Sequence, residues 1–155
     1  MPTSYAVLDS GILLVTVQTE SLTQQAKTLI ADLAEEQVQM LAPALLRYEL
    51  ISVTRKWVYR NLITPEEAQR ALNTLLRYPI ISVIDDDLLH RAYELAAQFN
   101  RPTAYDSQYL AVAERYQCDF WTTDERLFNA VNDRFPHIRW LGDWPIEGES
   151  FVADE

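Results

Sequence analysis

Tyr5-Ala6-Val7-Leu8-Asp9-Ser10-Gly11 is a short apolar run that stops at an acid, and its reading decides the fold. A buried strand that ends in a carboxylate, followed by a small residue that can start a helix, is the unit from which α/β sheets are built. The same unit returns at Phe120-Trp121-Thr122-Thr123-Asp124-Glu125-Arg126-Leu127. There the spacing predicts a strand over 119–122 and a helix from Asp124 to about Phe135.

Between and around these units, short β-rich runs alternate with longer helical ones. Ile12–Val17 suits a short helix. Leu22, Ala26, Leu29, Ile30 and Leu33 recur at helical spacing within 21–37. Residues 38–41 read as a second strand, and Pro43 suits the first turn of a helix running to about Arg60. Thr64-Pro65-Glu66-Glu67 is a capping box that opens a helix to about Tyr78. Ile80–Ile84 is a β-branched run. Asp85 caps a helix striped by Leu88, Ala92, Leu95 and Phe99, which Asn100-Arg101-Pro102 breaks. Thr103 opens the next helix, to about Gln117, and 138–141 closes as a strand. Strands alternating with helices predict a three-layer α/β/α sandwich around a mainly parallel sheet. The 155 residues suit one domain over 1–142, followed by an acidic segment over 143–155 that carries Asp143, Glu147, Glu149, Asp154 and Glu155.

Composition narrows the chemistry. The formal charge is -10, which counts against a simple nucleic-acid binder, because phosphate contacts need Lys and Arg. Carboxylates gathered around a cation no longer repel phosphate, so the objection is local rather than general. Cys118 is the single cysteine, which excludes an intrachain disulfide and fits a reducing, cytoplasmic setting. No Cys/His cluster suits zinc. Gly11–Val17 is too short to span a bilayer, so neither a signal peptide nor a membrane segment is expected.

The acids Asp9, Glu49, Asp106 and Asp124 stand where the apolar patterning breaks. Each has a bland role open to it. Asp9 and Asp124 suit helix N-caps. Glu49 shares a helix side with Lys56 and Arg60 and suits a surface ion pair with either. Thr103 and Asp106 suit a capping box. Their common placement, at strand ends and helix starts, also suits one sheet edge. Carboxylates converging there repel unless a cation intervenes, and a cation held by carboxylates points to phosphodiester chemistry. Thr122 would support Asp124 with its hydroxyl. Lys56 and Arg60 are candidate phosphate contacts. Neither His90 nor His137 fits a catalytic role.

The run Thr103-Ala104-Tyr105-Asp106-Ser107-Gln108-Tyr109-Leu110-Ala111-Val112-Ala113-Glu114, followed by Trp121-Thr122-Thr123-Asp124-Glu125-Arg126-Leu127, resembles the PIN-domain family, close to its VapC-type ribonuclease toxins. Val7-Leu8-Asp9-Ser10-Gly11 and Pro43 to Glu49 fall in the matching order, and the resemblance spans residues 5–141. It implies a five-stranded parallel sheet. It implies Mg2+ or Mn2+ bound by Asp9, Glu49, Asp106 and Asp124, with Thr122 near the site, and frequent homodimerisation. The activity implied is metal-dependent cleavage of single-stranded or structured RNA by the toxin of a toxin–antitoxin pair. The alternative is a catalytically weak or inactive interaction module that binds an antitoxin protein. A phosphoacceptor domain would need an acidic pair after the first strand and a late lysine. A haloacid-dehalogenase-like phosphatase would need an aspartate at residue 11. This chain has Asp9 alone, no lysine after Lys56, and glycine at 11.

Overall fold

The computed structural model describes residues 3–145. Five strands form one sheet: β1 (Tyr5–Leu8), β2 (Gln39–Pro43), β3 (Ile80–Val83), β4 (Asp119–Thr122) and β5 (Ile138–Trp140). Their order is β3-β2-β1-β4-β5 and every pairing is parallel. Val7 of the central strand lies in register with Leu41 of β2 and Phe120 of β4. Parallel strands are covered on both faces, which is why Ala6, Val7 and Leu8 are buried in succession instead of alternating with polar residues.

Helices supply that cover. α1 (Ser10–Leu14), a 3-10 turn (Val15–Val17) and α2 (Thr23–Glu35) connect β1 to β2. α3 (Leu45–Tyr59) and α4 (Pro65–Leu75) connect β2 to β3. These two crossovers step the same way along the sheet, so right-handed connection puts all four helices on one face. α5 (Asp86–Gln98) and α6 (Tyr105–Tyr116) return the chain past β1 to β4 and cover the other face. α7 (Glu125–Val131) joins β4 to β5. Tyr109, Phe120, Leu8, Ile12 and Leu110 are among the largest fully buried side chains of the core.

Local expectations hold at several helix starts. Thr64 accepts the Glu67 N–H at 3.1 Å, and Asp85 accepts the Asp87 N–H at 2.8 Å. Pro43 differs. It ends β2, paired with Val83, instead of opening α3. A proline at a strand terminus loses no ladder bond that the strand needs. α6 begins at Tyr105, capped by Ala104 with no side-chain bond, so the Thr103–Asp106 capping box does not form. Packing continues past residue 142. Leu141 is buried, and Trp144 meets Trp121 edge to face at 5.1 Å. The remainder of the acidic segment, from 146 on, lies outside the described residues. Among the described residues no helix is long and apolar enough to cross a membrane.

Candidate active site

Strand order reverses between β1 and β4. The chain steps from β1 outward to β2 and β3, then returns to lay β4 on the other side of β1. Ligands of open α/β sheets bind beyond the carboxyl ends of the strands at such a point. Asp9 follows Leu8 there, and Thr122 and Asp124 end β4 beside it, with Leu8 in register with Trp121. The Asp9 N–H donates to the Trp121 carbonyl at 3.0 Å and ties the two strand ends together.

Thr122 is fully buried, and its hydroxyl uses both of its faculties. It donates to Asp9 Oδ2 at 2.7 Å and accepts the Asp124 N–H at 3.0 Å. Thr122 therefore orients the Asp9 carboxylate and touches only the backbone of Asp124, whose side chain it was expected to support. Asp9 Oδ1 accepts the Gly11 N–H at 3.4 Å and the Ser10 hydroxyl at 3.3 Å. The capping role is thus real, and it leaves Oδ2 to Thr122. Asp124 likewise caps α7 through Leu127 at 3.1 Å. Gly11 is required by proximity, since a Cβ there would stand 2.2 Å from the Thr123 hydroxyl. A small residue after Ser10 lets the start of α1 close on the end of β4.

Glu49 and Asp106 reach the same place from opposite faces of the sheet, on α3 and in the first turn of α6. Among the described residues no surface ion pair holds Glu49. Instead it accepts a hydrogen bond from the Tyr109 hydroxyl at 2.5 Å. Tyr109 stands one turn after Asp106 and is packed edge to face on Phe120 at 5.5 Å. Asp106, free of any capping bond, lies 3.7 Å from the Arg101 guanidinium. Sequence reasoning missed Tyr109, Ser10 and Arg101. Tyr109 shares the inward stripe of Asp106, Leu110 and Ala113, but nothing local reveals that its hydroxyl meets a carboxylate on α3. Lys56 is exposed on α3 and Arg60 is exposed at its C-cap, about two and three helical turns beyond Glu49, or roughly 10 and 16 Å along the axis.

Asp9, Glu49 and Asp106 each show the influence of other acids. Burial raises the Asp9 pKa above the ordinary aspartate value. Hydrogen bonds from Thr122 and Gly11 oppose this, and the Asp106 charge adds to it. Burial also raises Glu49, opposed by Tyr109 and reinforced by Asp9 and Asp106. Asp106 is raised by burial and by Asp124, against the pull of Arg101. Asp9, Glu49 and Asp106 are thus each repelled by at least one other acid at the same edge. The set offers oxygen alone, the donor type of hard divalent cations, and mutual repulsion of this kind is what a cation relieves. Among the described residues, no three His, Cys, Asp or Glu side chains are already gathered into a cluster that could hold a metal ion.

These shifts give stability a pH dependence of known sign. Asp9, Glu49 and Asp106 hold protons more tightly folded than unfolded. Their contribution is complete below the ordinary values of 3.8 and 4.5 and is lost as pH rises through the raised folded values. Asp85 and Glu114, lowered by Arg115 and Arg91, act in the opposite sense. In EDTA, thermal melts should show that the gain in stability from Asp9→Asn is larger at pH 8 than at pH 5. A gain independent of pH would show that the Asp9 charge is not destabilising.

The description "PIN domain" belongs to a family model that matches residues 6–133. Two curated relatives, VapC ribonuclease Mb0985 of Mycobacterium bovis and Ribonuclease VapC9 of Mycobacterium tuberculosis, are each 32% identical over 117 residues, covering 72% of this chain and 82% of the relative. A solved toxin-antitoxin complex from Klebsiella pneumoniae contains a chain that superposes with a TM-score of 0.61 at 19% identity, over 86% of this chain and 95% of that one. That superposition carries the fold.

Proposed function

This chain belongs to the PIN-domain family, together with the VapC ribonucleases it matches, and from that premise we propose that it is a metal-dependent endoribonuclease that cleaves single-stranded RNA as the toxin of a toxin–antitoxin pair. The observation that supports the reading is charge coupling among the site acids at the strand-order reversal: Asp106 raises the proton affinity of Asp9 and Glu49, Asp9 that of Glu49, and Asp124 that of Asp106.

Asp9, Glu49, Asp106 and Asp124 would hold Mg2+ or Mn2+ through oxygen. A cation so held supplies an acidified water and offsets charge on the phosphate oxygens. The chain's own residues do the rest. Thr122 fixes the direction of Asp9 Oδ2. Tyr109 fixes Glu49 through Oε1. Held by Tyr109, Glu49 is suited to take the proton of the attacking water, and that proton is available for the leaving oxygen when the phosphodiester bond breaks. Lys56 and Arg60 would meet phosphates further along the strand.

An antitoxin is the proposed protein partner, and a basic segment is the natural complement of this acidic edge. Homodimerisation is supported by the apolar rim of edge strand β3 and helix α5, where Ile84 is 80% exposed and Leu89 and Tyr93 stand open beside it. The cytoplasm, where RNA is met, is the proposed place of action.

The test is cleavage of labelled single-stranded RNA in Mn2+ by the unaltered protein and by Asp106→Asn. Cleavage by the first and not the second supports the assignment. Equal cleavage by both overturns it, and no cleavage by either favours an inactive interaction module.

A further inference from the structure

Helix α5 does not simply fray at its end. Asn100 adopts φ 52°, the left-handed conformation that terminates helices. Its N–H donates to the Ala97 carbonyl at 3.1 Å, and the Arg101 N–H donates to the Ala96 carbonyl at 2.7 Å. These two bonds are the paired closure of a Schellman motif, and Pro102 then forbids further helix. Phe99, just before them, is buried and packs on Phe135 at 6.4 Å. The backbone of Arg101 is therefore tied to the closed end of α5 beside a core residue.

From that fixed point the side chain turns to the site. One guanidinium nitrogen of Arg101 lies 3.7 Å from Asp106 Oδ2, with the two side chains 26% and 44% exposed. Among the described residues, Arg101 is the basic side chain in ion-pair contact with one of the four site acids. The other pairs join Arg91, Arg115 and Arg139 to Glu94, Glu114, Asp85 and Asp119. The contact is long and uses one end of a fork that carries five donors. A surface pair of this kind contributes little to stability, so its placement calls for another reason.

We propose that Arg101 is a substrate-binding residue that trades partners, resting on Asp106 until a divalent cation takes that carboxylate and then turning its guanidinium to an RNA phosphate. This rests on the ribonuclease reading above. The chemistry is an exchange of equivalents. A cation and a guanidinium compete for one carboxylate, and a planar fork freed from it matches two phosphate oxygens. Cation binding and RNA binding then favour each other through Arg101, and the coupling is reciprocal. Arg101 leaves an acid of the site itself, whereas Lys56 and Arg60 stand turns away along α3.

The test uses the full chain and two probes, Mn2+ by calorimetry and a short phosphorothioate oligoribonucleotide by fluorescence anisotropy in Ca2+. Arg101→Ala should bind Mn2+ roughly two- to fivefold more tightly, because the competing charge is gone. It should bind the oligonucleotide about tenfold more weakly, with a salt dependence shallower by about one phosphate contact. Arg101→Lys, which keeps the charge without the fork, should bind Mn2+ as the unaltered protein does and RNA at an intermediate level. Opposite signs for the two ligands are a result that a damaged fold does not produce. If Arg101→Ala binds RNA normally, or loses both ligands together, the exchange is overturned while the nuclease reading stands. If the unaltered protein binds neither probe, the nuclease reading falls and the exchange falls with it.

Discussion

Asp9→Asn is expected to lower RNA cleavage by on the order of a thousandfold and to raise the melting temperature by a few degrees. The two effects share one cause. Asp9 is the acid at the end of the central strand, where burial and the Asp106 charge both work against its ionised form. Asparagine is nearly isosteric. Its single amide oxygen can replace one carboxylate oxygen as acceptor, either from Thr122 or from Gly11 and Ser10, so part of the hydrogen bonding that closes β1 onto α1 and β4 survives. The charge is lost, and with it the attraction for a divalent cation and the stabilisation of charge that develops on the phosphate. Fold stability improves because a repelled, desolvated carboxylate has been removed. Active sites commonly carry this kind of local cost, and relieving it costs function. Initial cleavage rates in Mn2+ and thermal melts in EDTA check both halves. Cleavage within tenfold of the unaltered protein, or a melting temperature that drops by several degrees, would remove Asp9 from its proposed role.

Tyr109→Phe should reduce cleavage by about ten- to hundredfold with little change in fold. The ring stays, and so does its edge-to-face contact with Phe120 at 5.5 Å. What goes is the hydroxyl that donates to Glu49 Oε1 at 2.5 Å. Glu49 is half-buried, and this bond is the largest influence that lowers its pKa. Without it, the Glu49 pKa rises further. The acid limb of the pH–rate profile should therefore move to higher pH, so the loss is greatest under mildly acidic conditions and shrinks as pH rises. Stability should fall by about 1 kcal/mol, the usual consequence of leaving one hydrogen-bond partner unmet. A purely structural role for Tyr109 would lower stability and leave the acid limb in place. Overlaying the two profiles separates these outcomes, and an unshifted limb would show that Glu49 does not titrate in the reaction.

Both predictions turn on residues that differ in how visible they are along the chain. Asp9 and Asp124 announce themselves, since each ends an apolar run and begins a helix, and the expected capping is met at both. Asp106 is visible for a mistaken reason. Thr103 three residues earlier suggests a capping box, but α6 starts at Tyr105, and the carboxylate faces Arg101 instead of its own backbone. Glu49 is half-legible. Its place on α3 follows from helical spacing, whereas its partner does not, because a surface pair with Lys56 or Arg60 satisfies the same periodicity. Tyr109 reads as core, which it is, and the polar end of a buried tyrosine finds its acceptor only once a second helix is set against it.

Periodicity, turn residues and caps determine this protein's strands, helices and domain class, because those choices are settled by contacts within a few residues of chain. The acids at strand ends belong to the same local grammar. Which groups answer them was decided only in three dimensions. Thr122 reaches Asp9 across 113 positions of sequence, and Tyr109 reaches Glu49 across 60. Both bonds exist because the crossover after β3 carries α6 over the opposite face and lays β4 against β1. A hydrogen bond needs its atoms within about 3 Å at a suitable angle. No pattern along one strand or helix encodes the distance to another, so the partners of the site emerge from the packing of the sheet and its two helical layers.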